Sequence, residues 1–209
     1  GAMTDEPVLV REQRGNVLLL RLNRPAARNA LSGELLDQLG LALVAAETDP
    51  AVACVVITGT GDRAFCAGMD LAEFATEGAI APSAEGVAGF RRFTEGGIAV
   101  PIVGAANATA VAGGFEVLMG CDVVVTSVAA RFGLPEVKRG LFAAGGGTAL
   151  ATRIPLAIAL ELTLTGDLID ADRALALGLV NQVVPPEEVL DAALTSRTDL
   201  VTGIPANSS

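Results

Sequence analysis

Two glycine-containing segments of the chain combine residue types that could bind a carbonyl oxygen. They are residues 67–70 (AGMD) and 112–116 (AGGFE), and each follows an apolar run and precedes a helix-like one. The first N–H groups of a helix lack an intrahelical acceptor, and glycine lets a ligand oxygen approach the backbone closely. Two such corners facing each other would form an oxyanion hole, which stabilises an enolate. Taken alone, each segment is more simply explained as an ordinary turn between a strand and a helix.

Two glutamates are the candidates for acid–base chemistry. Glu116 lies within an apolar run, and Glu136 follows Pro135 in a loop that leads to Arg139. Two carboxyl groups in one water-poor pocket take separate pKa values, one suited to an acid and one to a base. Each residue alone also fits a structural role, Glu116 on the solvent-facing side of a helix and Glu136 in an ion pair with Arg139. The spacing does not show whether the two meet in space.

The composition restricts the chemistry further. The 209 residues include no histidine, tyrosine or tryptophan, which excludes histidine-based triads and most catalytic zinc sites. The formal net charge is −10 with Lys138 as the single lysine, so nucleic-acid binding is disfavoured and an anion must be held by arginines, backbone amides or helix ends. Cys54, Cys66 and Cys121 are not spaced for zinc and predict buried thiols in a reducing, cytoplasmic compartment. No segment has the composition of a membrane span.

The alternation of strand-like and helix-like segments predicts an α/β domain with a largely parallel sheet. Residues 76–86 (TEGAIAPSAEG) are mostly small and polar and predict a mobile loop. The predicted strands cover 17–22, 54–58, 101–106, 122–126 and 179–184, and the predicted helices follow Ser32, begin near Asp70, cover 85–98, follow 112, and begin near Pro155 and Asp170.

Residues 59–64 (GTGDRA) match the G-x-G-x-x-A fingerprint of a dinucleotide-binding turn. The match lacks its structural context, because residues 65–68 (FCAG) continue as a loop and not as a helix. No strand ending in an acidic residue follows about 20 positions later. A nucleotide cofactor is therefore not predicted.

Four segments of the chain, in order, resemble the crotonase superfamily of enoyl-CoA hydratases and isomerases, and most closely the hydratases. They are residues 23–31, 56–71, 111–122 and 132–141, and the resemblance extends from about Val8 to Leu194. It implies an α/β fold built as a crotonase-type spiral of repeated ββα units, followed by a helical part that builds trimers. That helical part is expected to be shortened or missing here, because residues 195–209 are polar and lack helical periodicity.

The resemblance also implies the site. The backbone amides of Met69 and Gly113 would hold the thioester oxygen. Glu116 would activate a water molecule that adds at the β-carbon, and Glu136 would deliver a proton to the α-carbon. No metal or redox cofactor is implied, because CoA belongs to the substrate. The residues implied in CoA binding are Ala27, Arg28, Ala67, Asp70 and Leu71.

The function implied by the resemblance is that of an enoyl-CoA hydratase, because both glutamate positions are filled. One alternative is an isomerase or another enolate-forming acyl-CoA enzyme of the same fold. An alternative of a different class is a non-catalytic paralogue that binds acyl-CoA or another subunit, which the atypical end of the chain suggests. The implied organisation is a catalytic domain over 4–194 with a short tail over 195–209, and the implied assembly is a homotrimer or a dimer of trimers.

Overall fold

The structure is a computed structural model, and it describes residues 6–134, 157, 158, 161 and 165–197. Three of the predicted features lie outside these residues: Glu136, the start of the helix near Pro155, and the end of the tail after 197.

Two sheets organise the described fold. Their strands are β1 Leu9–Arg14, β2 Val17–Leu22, β3 Cys54–Gly59, β4 Ile102–Ala106, β5 Ala110–Val111, β6 Val123–Ser127, β7 Arg131–Gly133, β8 Ile169–Asp170 and β9 Gln182–Val184. The central six-stranded sheet has the order β1-β2-β3-β4-β6-β9, and the three-stranded sheet has the order β5-β7-β8. In the six-stranded sheet β1 and β2 form an antiparallel hairpin in which Arg14 pairs with Val17, and every later pairing is parallel.

Helices connect the parallel strands, as right-handed crossovers between such strands require. Ser32 caps the longest of them by accepting a hydrogen bond from Leu35 N–H, and Ser83 caps α3 in the same way through Gly86 N–H. The helices are α1 Gly33–Ala46, α2 Leu71–Phe74, α3 Ala84–Thr94, α4 Gly113–Gly120, α5 Ala171–Ala176 and α6 Val189–Ala192, with 3-10 turns at Pro25–Ala27 and Pro186–Glu188 and a π turn at Ala193–Arg197.

The core lies on both faces of the main sheet. Every residue of β3 and β4 is buried, which is typical of parallel strands covered on both sides. One face packs against α1, whose Leu35, Leu39 and Leu43 are fully buried. The other face packs against α6 and the turn after it. One glycine corner of the candidate site lies in the loop between β3 and α2, and the other lies directly after β5.

The predicted α/β organisation is confirmed, with differences at element ends. Four strands were not predicted: β1 has a mostly exposed, charged pattern, and β5, β7 and β8 have two or three residues each. Helix α3 ends at Thr94 and not at 98, because Gly96 adopts a φ of +77° that stops a helix. The last strand begins at Gln182 and not at 179, because Leu179 and Val180 are buried in the turn after α5.

Candidate active site

The first glycine corner, residues 67–70, directs the Met69 N–H away from the segment that contains Leu31. Met69 forms a parallel bridge with Leu31, in which Leu31 N–H donates to Gly68 O at 2.7 Å and Asp70 N–H donates to Leu31 O at 2.9 Å. In a parallel bridge the flanking residues make both hydrogen bonds, so the amide of the central residue points to the opposite side. Gly68 allows this path because its φ is +104°.

The corner after β5 begins helix α4 at Gly113. Ala112 precedes it with φ 56° and ψ −128°, a conformation that residues with a β-carbon rarely adopt. Ala112 is held there by a hydrogen bond from its N–H to Gly133 O (2.9 Å), and its carbonyl accepts from Glu116 N–H (3.1 Å). The Gly113 amide is therefore the first of helix α4 and carries the partial positive charge of a helix N-terminus.

The two corners are in direct contact. Val111 N–H donates to Cys66 O at 3.2 Å, which joins the segment before each corner. A β-carbon placed on Gly113 would lie 3.5 Å from Met69 N, and one placed on Gly68 would lie 3.4 Å from Gly113 N. Neither Met69 N–H nor Gly113 N–H donates to any residue in the described part of the chain. The Met69 and Gly113 amides thus lie close to each other, as the predicted oxyanion hole requires, and their role in binding a carbonyl oxygen stays a prediction.

Glu116 belongs to the same helix as one of these donors. It lies three residues after Gly113 on α4, on the same helical face, and its side chain is half-buried between buried Phe115 and Val117. Glu116 thus lies in the first turn of the helix that Gly113 begins, whereas Glu136 falls outside the described residues. The catalytic roles of both glutamates stay predictions.

A cleft of about 360 Å³ opens beside the Met69 corner. It brings together two of the residues implied in CoA binding, Arg28 and Ala67, whose backbones are joined by a hydrogen bond from Ala67 N–H to Arg28 O (3.1 Å). Arg28 is exposed and has a φ of 52° after the 3-10 turn that contains Ala27. The other residues lining the cleft are Arg63, Ala64, Thr109 and Val111.

The sequence analysis did not predict four of these lining residues: Arg63, Ala64, Thr109 and Val111. Arg63 is exposed, so the cleft has a second guanidinium that can meet an anion. Arg63 belongs to the segment 59–64 that was considered only for its glycines, and its charge in an acidic chain was the available signal. Thr109 and Val111 carried no such signal, because only the folding of residues 107–111 against 64–66 brings them there.

Asp70 and Leu71 do not line this cleft. The Asp70 carboxylate accepts a hydrogen bond from Glu73 N–H at the start of α2 and forms an ion pair with Arg24 (Nη2 to Oδ2, 3.0 Å). The Glu73 amide and the Arg24 guanidinium together hold the pKa of Asp70 below its usual range. Leu71 is 67% exposed on the first turn of α2. Their implied contact with CoA stays a prediction.

Metal ligands and membrane-spanning helices are not found in the described ranges. These residues contain no group of three or more His, Cys, Asp or Glu side chains arranged to hold a metal ion. The three cysteines are free and buried. No helix among the described residues is long and apolar enough to cross a lipid bilayer.

The described chain is thus an α/β fold in which two glycine corners lie in contact. The model of the enoyl-CoA hydratase/isomerase family matches residues 12–209. The chain belongs to the enoyl-CoA hydratase/isomerase family, as the resemblance in its four segments predicted.

Relatives of known name support this membership. The chain is 35% identical to a short-chain-enoyl-CoA hydratase of Clostridium acetobutylicum, over 94% of this chain and 76% of that protein. It is 38% identical to a crotonyl-CoA hydratase of Syntrophomonas wolfei, over 87% of this chain and 71% of that protein.

Solved structures show the same fold. A carnitinyl-CoA hydratase from Mycobacterium avium superposes with a TM-score of 0.87 at 42% identity, covering 97% of this chain and 78% of that one. An enoyl-CoA hydratase from Mycobacterium tuberculosis superposes with a TM-score of 0.83 at 39% identity, covering 95% of this chain and 77% of that one. The predicted crotonase-type α/β fold is confirmed.

Proposed function

We propose that this protein is an enoyl-CoA hydratase, a hydro-lyase that adds water across the 2,3 double bond of an acyl-CoA thioester in fatty acid metabolism. The observation that carries the proposal is the pair of facing amides, Met69 N–H and Gly113 N–H, with Glu116 on the helix that Gly113 begins. The relatives named as short-chain-enoyl-CoA and crotonyl-CoA hydratases support the same reaction.

In the proposed reaction, the thioester oxygen accepts hydrogen bonds from the Met69 and Gly113 amides. Glu116 takes a proton from water as the water oxygen bonds to C3, and the π electrons move to the thioester as an enolate. Glu136 then delivers a proton to C2, which forms the 3-hydroxyacyl-CoA. Proton exchange through solvent returns Glu116 and Glu136 to their starting states. The amides stabilise the enolate oxygen more than the ground-state carbonyl, which lowers the barrier.

The test is hydration of crotonyl-CoA by the purified protein, followed as loss of the absorbance of the conjugated thioester. We expect turnover in the wild type and a loss of about 10²–10⁴-fold in kcat in Glu116→Gln and in Glu136→Gln, which remove a general base and a general acid. Glu187→Gln, which changes an exposed carboxylate on the 3-10 turn Pro186–Glu188, is the matched control. Near-normal turnover in either glutamate variant would contradict the assigned roles.

Two other functions have distinct outcomes in simple assays. An isomerase would convert a 3-enoyl-CoA to the 2-enoyl-CoA without forming the hydroxyacyl product. A non-catalytic paralogue would bind CoA thioesters, measured by calorimetry, without turnover of either substrate. Glu116 on the helix that begins at Gly113 and the hydratase names of the relatives favour hydration over both.

The cleft lined by Arg28 and Arg63 is proposed to hold the phosphate-bearing part of CoA. The chain has a net charge of −10, so a polyanionic ligand needs a local group of cations. Ala67 lines the same cleft and lies two residues before Met69, so the thioester end of the same ligand would reach the two amides. Both arginines are exposed, and neither forms an ion pair with a described residue that would compete with a phosphate.

The proposed protein is cytoplasmic and oligomeric and uses no metal or redox cofactor. A cytoplasmic location is supported by three free, buried thiols. A homotrimer or a dimer of trimers is proposed from the family resemblance, and light scattering of the purified protein tests it. A reaction without metal or redox cofactor is proposed because amides and carboxylates supply all of its steps, and unchanged turnover after dialysis against a chelator is the expected result.

A further inference from the structure

The direction of the Met69 N–H depends on the Leu31 bridge. Leu31 is hydrogen-bonded to the peptides on both sides of Met69, through Gly68 O and Asp70 N–H. Any shift of Leu31 relative to Asp70 would therefore rotate the Met69 amide relative to the Gly113 amide. Met69 itself is 39% exposed, so its side chain packs only partly against the fold.

The guanidinium group of Arg24 forms hydrogen bonds on both sides of the bridge between Leu31 and Met69. Arg24 Nη1 donates to Ala30 O, the residue before Leu31, and Arg24 Nη2 donates to Asp70 Oδ2 at 3.0 Å, the residue after Met69. The side chains of Arg24 and Asp70 are only 18% and 19% exposed, so solvent screens this pair less than a surface ion pair. The ion pair thus links the two segments whose relative position aims the Met69 amide.

The buried side chain of Asn29 connects the backbone at Arg24 to the loop that contains Thr60 and Ala64. Asn29 is fully buried with a φ of 55°. Its Oδ1 accepts from Arg24 N–H at 2.9 Å, and its Nδ2 donates to Thr60 O at 3.0 Å and to Ala64 O at 2.9 Å. The backbone that carries Arg24 is therefore fixed to the loop that leads to the Met69 corner.

We propose that Arg24 and Asp70 are a positioning pair that aims the Met69 amide at the substrate oxygen, and that Asp70 acts through this ion pair and not through contact with CoA. The inference rests on the proposed function, because it presumes that the Met69 amide binds a thioester oxygen. A misaimed donor weakens transition-state stabilisation more than substrate binding, so the pair governs kcat and leaves KM nearly unchanged.

The test compares Asp70→Asn, Arg24→Gln and the double variant. Asn at 70 keeps an oxygen that can accept from Glu73 N–H, so the cap of α2 survives while the ion pair is lost. With crotonyl-CoA we expect each single variant to lose about 10- to 100-fold in kcat with little change in KM. The double variant is expected to lose no more than the worse single one, because both changes remove the same contact.

A second readout separates positioning from general stability. Butanoyl-CoA labelled with ¹³C at its carbonyl cannot be hydrated, and its C=O stretching frequency falls when two amides polarise the oxygen. We expect this downshift in the wild type and a smaller one in Asp70→Asn and Arg24→Gln. Glu47→Gln is the control. It removes the ion pair between Glu47 and Arg92 (2.7 Å) at the C-terminal end of α1. This variant is expected to leave the C=O stretching frequency unchanged.

Three outcomes would overturn the proposal in different ways. Variants with wild-type kcat and wild-type carbonyl frequency would show that the pair does not position the amide. A loss confined to KM would make Asp70 a CoA contact, as the family resemblance implies. A wild-type protein that binds butanoyl-CoA with no downshift would overturn the oxyanion hole and the pair together, whereas a downshift without crotonyl-CoA hydration would overturn only the hydratase assignment.

Discussion

At the scale of single residues, the site depends on backbone conformations that side chains usually avoid. Ala112 has φ 56° and ψ −128°, which costs of order 1–3 kcal/mol for a residue with a β-carbon. Its methyl group is close enough to Gly68 that a β-carbon there would lie only 2.8 Å away. Gly68 must therefore be glycine both for its φ of +104° and for space. This packing keeps the two amides together before a substrate arrives.

Gly113 offers a substitution that should remove activity and preserve the fold. A β-carbon at Gly113 meets no described atom closer than 3.5 Å, and the nearest atom is Met69 N. Gly113→Ala would therefore place a methyl group between the two amides, at the proposed position of the thioester oxygen. We expect kcat/KM for crotonyl-CoA to fall by about 10²-fold or more, as for loss of an oxyanion-hole donor, with no loss of thermal stability.

The neighbouring glycine is the matched control for that substitution. A β-carbon at Gly114 would lie 2.0 Å from Cys66 O, a backbone atom that cannot move freely. Gly114→Ala is therefore expected to lower the free energy of unfolding by about 1–3 kcal/mol, as overpacking does. Circular dichroism melting measures both variants, and an active Gly113→Ala protein would contradict the placement of the hole.

At the scale of elements, hydrophobic periodicity and short-range chemistry were enough to predict the main strands and several helix starts. The strands β2, β3 and β4 appear as largely apolar runs, and Ser32 and Asp170 precede α1 and α5 as capping residues. The sequence predicts both glycine corners but not the contact between them. That contact depends on hydrogen bonds from Phe65 N–H to Thr109 O and from Val111 N–H to Cys66 O, each joining residues more than 40 positions apart. Such a pairing has no local signature in a single sequence.

The same limit applies to the Arg24–Asp70 ion pair. The two residues are 46 positions apart, and each lies in a segment that resembles the family for other reasons. The resemblance implies that Asp70 contacts CoA, which stays a prediction, and its ion pair with Arg24 has no signal in the sequence. Arg63 also has no local signal beyond its charge, because residues 59–64 match only a dinucleotide-binding fingerprint.

The proposed CoA-binding role of the cleft can be tested at Arg28 and Arg63, which lie on two different loops. We expect Arg28→Ala and Arg63→Ala to raise KM for crotonyl-CoA several-fold with little change in kcat, because they remove attraction for phosphate and not for the reacting carbons. The effect should shrink as ionic strength rises, because salt screens exposed charges. Arg11→Ala, on the exposed edge strand β1, makes the same change in net charge away from the cleft. Equal KM values in all three variants would place the CoA phosphates elsewhere.

At the scale of the whole molecule, the composition makes the alkaline pH range unusually simple to interpret. The chain has no tyrosine and a single lysine, so between about pH 8.5 and 10 few groups other than thiols change charge. All three cysteines are buried and free. Burial raises the pKa of Cys54 to about 12, with a smaller contribution from Asp122, and burial raises the pKa of Cys66 to about 12 as well.

These raised pKa values predict how stability depends on pH. A thiol whose pKa is higher in the folded state stabilises the fold fully below its unfolded value of about 8.5, and this contribution is lost as pH rises towards 12. Each of Cys54 and Cys66 should therefore lower the free energy of unfolding by about 1.4 kcal/mol per pH unit above that point. Urea unfolding at pH 7, 9 and 10 measures the slope, and Cys54→Ala and Cys66→Ala should each reduce it by about 1.4 kcal/mol per pH unit. A free energy of unfolding that is constant from pH 8.5 to 10, or rapid reaction of the folded protein with a thiol reagent at pH 8, would show that these thiols are accessible to water.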